Sequence, residues 1–455
     1  MFDPYIFLYW YRRLILKPLG LTAPVELIHS AGNCIVGSGD SRKSLLEILK
    51  TSCPSLIGIK AWYSGSFWLF NSSHFQTGYS ALADFTKVFR IEYERKYLEV
   101  PDGGTIYIDI TPPLDVLPPD NRPILVCMHG LTGGSHESYI RTVLATLTKP
   151  KAEGGEGWRA IVVNSRGCAQ GPLTTPKLYH AGASYDLKNA MLYIGNMFPD
   201  APIYGIGFSL GAGMLTKYLA VEADRTAMKS GIVLGCPWDL MLGHIDLQGS
   251  LRGLYYSRAM GGNLRTVLQR HLSVMKQNPK LDVDAIVANP NLTLYEFDTL
   301  ITSKCGGFAS TEQYYRSQSP KNFVGDIKVP FLAINSVDDP IATSRGIPLD
   351  VPERNPYIVF ALTQHGGHLG WFVGPFSFIT KKRWVVKPVI EWLKAIHEAD
   401  PSPKRHKAVT EAKTPKQGDG MVLDPEDSEC GFREIGEVAI TGGDDPTQGS
   451  LVAGL

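Results

Sequence analysis

The stretch Pro202-Ile-Tyr-Gly-Ile-Gly-Phe-Ser-Leu-Gly-Ala-Gly-Met214 decides the fold of this chain. Its first half is a continuous apolar run, the pattern of a strand buried on both faces of a sheet. Leu210 to Ala220 then reads as a helix. Between them lies Gly207-Phe208-Ser209-Leu210-Gly211, with two glycines where a tight strand-to-helix turn must close without side-chain clashes. A serine on such a turn stands above the sheet edge, open to a reactant. Ser209 is therefore the candidate nucleophile.

Working outward, the same grammar repeats. Ile124 to Met128, Trp158 to Asn164, Ser230 to Gly235, Phe331 to Asn335 and Tyr357 to Leu362 are further apolar runs. Tyr97 to Val100 and Thr105 to Ile110 flank Pro101-Asp102-Gly103-Gly104, a hairpin signal. Helical segments are expected over Ser138 to Leu147, Ala183 to Met197 and Lys382 to His397, the last with Trp384, Val385, Ile390, Trp392, Leu393 and Ile396 on one stripe. Strands that alternate with helices predict an α/β fold with a mostly parallel sheet covered on both faces.

The rhythm breaks over residues 238–322, where helical spacing predicts a cap of short helices above the carboxyl ends of the strands. Residues 1–90 are expected to be an extension packed on the 91–398 domain. Residues 399–455 are polar, basic first and acidic later, and composition predicts a disordered tail.

A formal net charge of +1 offers no field for nucleic acid. The seven cysteines are scattered and form no C-x-x-C pair, so neither a zinc site nor a disulfide framework is expected, and a reducing intracellular setting fits. The N-terminal Tyr5-Ile-Phe-Leu-Tyr-Trp-Tyr11 is cut by Arg12-Arg13 before it could span a bilayer. Aromatics beside cations could still lie at a lipid interface, so a cytoplasmic or peripherally membrane-associated chain is expected.

A hydroxyl needs a base to become nucleophilic. His368, in Gly366-Gly367-His368-Leu369-Gly370 after the last apolar run, is the preferred base, with His365 in reserve. The acid that orients it should follow the preceding strand, at Asn335-Ser336-Val337-Asp338-Asp339-Pro340. Asp339 is preferred and Asp338 is the alternative. An oxyanion needs two donors, and the Leu210 amide and the Leu131 amide, in His129-Gly130-Leu131-Thr132-Gly133-Gly134, are expected to supply them. His129 precedes Ser209 and reads as structural. No metal or dinucleotide motif is present, so no cofactor is expected.

These motifs occur together with Phe67-Trp-Leu-Phe-Asn71, His74-Phe-Gln-Thr77 and Asn164-Ser-Arg-Gly167 in one order over residues 60–395. The set resembles the α/β-hydrolase fold, in the branch of the medium-chain fatty acid ethyl ester synthase/esterases and related phospholipase-like hydrolases. The resemblance implies a Ser209, Asp339, His368 triad acting on short- to medium-chain acyl esters or thioesters. It implies resolution of the acyl-enzyme by water or an alcohol acceptor. A catalytically silent binding protein of the same fold, or an acyl-releasing enzyme of a biosynthetic route, stands as the alternative.

Overall fold

Every apolar run named above enters one sheet. The computed structural model describes residues 10–17, 22–32, 34–37, 42–65, 72–374, 380–404 and 420–442. Phe67 to Asn71 and Tyr5 to Tyr9 lie outside them. In chain order the sheet strands are Glu26–His29 (β1), Ile91–Glu99 (β2), Thr105–Thr111 (β3), Ile124–Met128 (β4), Arg159–Asn164 (β5) and Ile203–Phe208 (β6). Met228–Leu234 (β7), Phe331–Ser336 (β8), Ile358–Thr363 (β9), Val422–Asp424 (β10) and Asp427–Gly442 (β11) follow.

The spatial order is β10-β11-β2-β3-β5-β4-β6-β7-β8-β9-β1. The strands from β5 to β9 run parallel, and the hairpin β2-β3 joins β5 antiparallel. Helices Leu45–Ser52 (α1), Ser73–Leu82 (α2), Ser138–Leu147 (α3), Tyr185–Met197 (α4) and Leu210–Glu222 (α5) come before residue 238. Leu240–Gln248 (α6), Leu251–Arg270 (α7) and Thr311–Gln318 (α8), with shorter turns between them, follow β7. Val386–Ala399 (α9) comes after β9.

The core lies on both faces of the sheet because successive strand residues point to opposite sides. Ile124, Val126 and Met128 of β4 pack with Leu187 and Ile194 of α4 and Leu215 of α5. Leu125 and Cys127 of the same strand pack with Leu49 of α1, Val143 of α3 and Trp392 of α9. This two-sided burial explains why the strands read as unbroken apolar runs. All seven cysteines are free, and all but Cys305 are buried.

The tail departs from its composition. Residues 427–442 were expected without structure, yet they form β11 and pair antiparallel with β2 from Glu99↔Arg433 to Ile91↔Gly442. Cys430 and Phe432 enter the core. Asp427 pairs with Lys188 at 2.6 Å, Arg433 with Glu99 at 2.5 Å, and the Tyr193 hydroxyl donates to Glu434 at 2.9 Å. A backbone ladder and the Glu99 pair, supplied by β2 over 300 residues away, and the Lys188 and Tyr193 pairs, supplied by α4, offset the chain entropy that composition alone could not. A chain lacking residues 420–455 is expected to lose at least about 2 kcal/mol of stability, the worth of burying a side chain such as Phe432. It should also self-associate through the bared β2 edge; chemical denaturation and light scattering check both.

Candidate active site

Ser209 sits between β6 and α5 with φ 50° and ψ −118°, and its amide donates to the Leu234 carbonyl at 2.9 Å. A non-glycine residue at positive φ is strained and persists only where its surroundings enforce it. The neighbouring glycines do so by letting backbones touch. A β-carbon on Gly207 would lie 2.6 Å from the Gly211 carbonyl, and one on Gly211 would lie 2.4 Å from the His129 carbonyl. Gly211→Ala is therefore expected to cost about 3 kcal/mol. Gly262→Ala on α7, where a new β-carbon meets nothing within 4 Å, should be neutral or slightly stabilising. Thermal unfolding of the two variants makes the comparison.

The structure brings Ser209, His368 and Asp339 together. Ser209 Oγ lies 2.7 Å from His368 Nε2, and His368 Nδ1 lies 2.8 Å from Asp339 Oδ2. Asp339 Oδ1 accepts from the Ile341 and Ala342 amides, both at 2.8 Å, so a turn of backbone holds the carboxylate in one orientation. Asp338 points elsewhere. It accepts from the Ser336 hydroxyl at 2.5 Å and the Gly367 amide at 3.0 Å, and it faces His365 Nδ1 at 3.3 Å. The alternative acid and the reserve base thus pair with each other and brace the turn that carries His368.

That turn is strained. Gly366, Gly367, Leu369 and Trp371 all have positive φ. Its shape is held from α2, where Thr77 Oγ1 accepts from the His368 amide at 2.9 Å and Gln76 Oε1 accepts from the Phe372 amide at 3.1 Å. A β-carbon on Gly367 would lie 2.5 Å from the Ser73 carbonyl. Sequence reasoning noticed His74-Phe-Gln-Thr77 as part of a resemblance but assigned those residues no task. Their proximity to His368 arises from contacts nearly 300 residues apart.

A family model described as the alpha/beta hydrolase fold matches residues 123–375, more than half of the chain. The chain belongs to the α/β-hydrolase family. Monoacylglycerol lipase of Saccharomyces cerevisiae is 30% identical over 370 residues, covering 73% of this chain and 80% of that protein. Phospholipase ABHD3 of Bos taurus is 27% identical over 336 residues (73% and 78%). Medium-chain fatty acid ethyl ester synthase/esterase 2 of Saccharomyces cerevisiae is 28% identical over 393 residues (71% and 83%).

In this α/β-hydrolase the second loop at the strand ends is also built around the serine. The Gly130 amide donates to Tyr139 Oη at 2.9 Å, and a β-carbon on Gly130 would lie 3.3 Å from Ser209 Cβ. His129 Nδ1 lies 2.6 Å from the Gly130 carbonyl, and His129 Nε2 accepts from the Ser165 amide at 2.9 Å. Burial pushes the His129 imidazole down to about 4, so the ring is neutral near pH 7 and its Nδ1–H fixes that carbonyl. Among the described residues neither the Leu131 nor the Leu210 amide donates to a protein acceptor. Both residues line the cleft with Ser209.

The hydrolase cleft holds a cavity of about 100 Å³. Trp238, Leu247, Met260, Leu264 and Val267, from the segment after β7, make much of its wall apolar. Ser209 is 8% exposed and lines this cleft, and His368, 2% exposed, lies behind it at hydrogen-bond distance from Ser209 Oγ. Among the described residues there is no His, Cys, Asp or Glu cluster suited to a metal ion, and no helix long and apolar enough to cross a membrane.

Proposed function

We propose that this chain is a serine hydrolase of acyl esters that works through an acyl-enzyme on Ser209. The observation that carries the reading is the unbroken run of contacts from Ser209 Oγ through His368 to Asp339 at the base of an apolar cleft. His368 Nε2 takes the proton as Ser209 Oγ attacks the carbonyl carbon, while Asp339 holds the Nδ1 proton and stabilises the imidazolium that forms. The free amides of Leu131 and Leu210 receive the oxyanion. His368 then protonates the leaving alcohol or thiol, and the acyl group stays on Ser209. Water, or a second alcohol, loses its proton to His368 as its oxygen bonds the acyl carbon; the bond to Ser209 Oγ then breaks and His368 returns the proton to that oxygen, freeing an acid or a new ester.

The cap of helices between 238 and 322 supplies the apolar wall that selects the acyl chain. Acyl esters of glycerol, phospholipids and ethyl esters are the substrate classes named for the relatives, and medium chain length is the first choice to test. Trp10, Tyr11, Leu14 and Ile15 are exposed beside Arg12 and Arg13, which supports peripheral contact with a lipid surface inside the cell.

The experiment is labelling with a fluorophosphonate, followed by turnover of ethyl, glyceryl and thioester substrates of short, medium and long acyl chains. Ethanol titrated into the reaction separates acyl transfer from hydrolysis. Labelling with turnover supports the reading. A folded protein that neither labels nor turns over any ester overturns it in favour of a binding role.

A further inference from the structure

One buried acid in the cleft has no part in the chemistry above. Asp298 opens the π-helical turn Asp298–Thr302, and both end residues are buried and line the cleft that contains Ser209. A π-turn is rare and frequently occurs at functional sites. Four other buried acids face a lysine or arginine: Asp109 faces Arg95, Asp186 faces Arg166, Asp239 faces Lys321 and Glu222 faces Lys188, whereas buried Asp424, outside the cleft lining, accepts from the Glu426 amide. Among the described residues no ion pair reaches Asp298. It has only the Tyr315 hydroxyl, donating at 2.7 Å, and the hydroxyl of Thr302.

A carboxylate offers about four acceptor positions. Two hydroxyl donors therefore leave acceptor positions open on the group, in a wall that is otherwise largely apolar. Burial accordingly lifts the Asp298 carboxyl to about 6, against the hydrogen bonds of Thr302 and Tyr315 that favour its charged form. A purely structural brace between the π-turn and α8 would be served as well by an amide, at no cost in buried charge.

We infer that Asp298 is a specificity-determining residue that accepts a hydrogen bond from a hydroxyl group on the substrate ester. The inference rests on the hydrolase reading of Ser209. Hydroxyls reach such a cleft from two sources, the alcohol side of the ester (as in a glyceryl ester) or the acyl chain (as in a hydroxyacyl ester).

Two pairs of esters test it: a glyceryl ester against the propyl ester of the same acid, and a hydroxyacyl ethyl ester against its unhydroxylated counterpart. For wild type, the hydroxylated member of one pair is expected to have the higher kcat/KM by roughly ten- to hundredfold, the worth of one hydrogen bond to a charged group. The pair that shows the preference identifies the source. In Asp298→Leu that ratio should fall to within about threefold of unity, and Asp298→Asn, which keeps one acceptor oxygen, should recover part of it. Fluorophosphonate labelling of each variant reports a folded site. Wild type that turns over both pairs without preference, or a labelled Asp298→Leu that keeps the preference, overturns the inference alone. Wild type inert to every ester and to the fluorophosphonate overturns the hydrolase reading, and this inference with it.

Discussion

Ser209→Ala is expected to lower kcat on any ester substrate by at least about four orders of magnitude and to abolish fluorophosphonate labelling. The size follows from the arrangement. Ser209 Oγ hydrogen-bonds His368 Nε2 at 2.7 Å, and in the proposed mechanism it is the one atom that also accepts the substrate's acyl group. Removing it leaves the oxyanion donors and the cleft with nothing to bond covalently. The fold should survive, because Ser209 makes its backbone bond to Leu234 through the amide and not the side chain. Alanine also fits the same positive-φ position no worse than serine does. An unchanged melting temperature beside lost labelling is the expected pair of results. Residual labelling at another residue would show that the nucleophile lies elsewhere.

Asp339→Asn should cost about 10⁴ in kcat, whereas Asp338→Asn should cost about tenfold or less. The two carboxylates are neighbours in sequence but do different work. Asp339 Oδ1 is already saturated by the Ile341 and Ala342 amides, so an asparagine there keeps its oxygen on those donors. Its amide nitrogen then faces His368 Nδ1 and donates to it. The imidazole is driven into the tautomer with its proton on Nε2, which can no longer accept the Ser209 proton. Asp338 meets donors from Ser336 and Gly367, and an asparagine oxygen serves them in turn. Single-turnover acylation of both variants separates these outcomes: comparable losses would overturn the distinction between the two carboxylates, and a larger loss at Asp338 would reverse the assignment of the acid.

Much of the sheet was legible because its strands are buried on both faces, which leaves unbroken apolar runs such as Ile124 to Met128. The nucleophile turn was legible for a local reason. Its strained backbone admits only small residues at 207 and 211, and that demand is written into five consecutive positions. The order of acid and base along the chain narrowed the other two members to adjacent or near-adjacent pairs.

The remaining choices depended on directions in space. Asp338 and Asp339 share a turn, and which carboxylate meets His368 depends on where the backbone amides of residues 341 and 342 lie. The grip of Thr77 and Gln76 on the His368 turn joins two distant segments and carries no local pattern.

By itself the sequence determined what short-range physics controls: strands buried on both faces, glycines at a forced turn, and a serine, an acid and a histidine in a usable order. Tertiary structure alone decided what depends on partners far along the chain. A polar strand at 427–442 becomes ordered only because the β2 edge offers it a ladder and Glu99, and α4 offers it Lys188. Asp298 becomes a cleft-wall acid bonded to a tyrosine hydroxyl only once the π-turn, Tyr315 and the serine's cleft are packed against one another. Composition measures how much apolar surface a segment carries. It does not measure the hydrogen bonds and charges that the rest of the molecule brings to it.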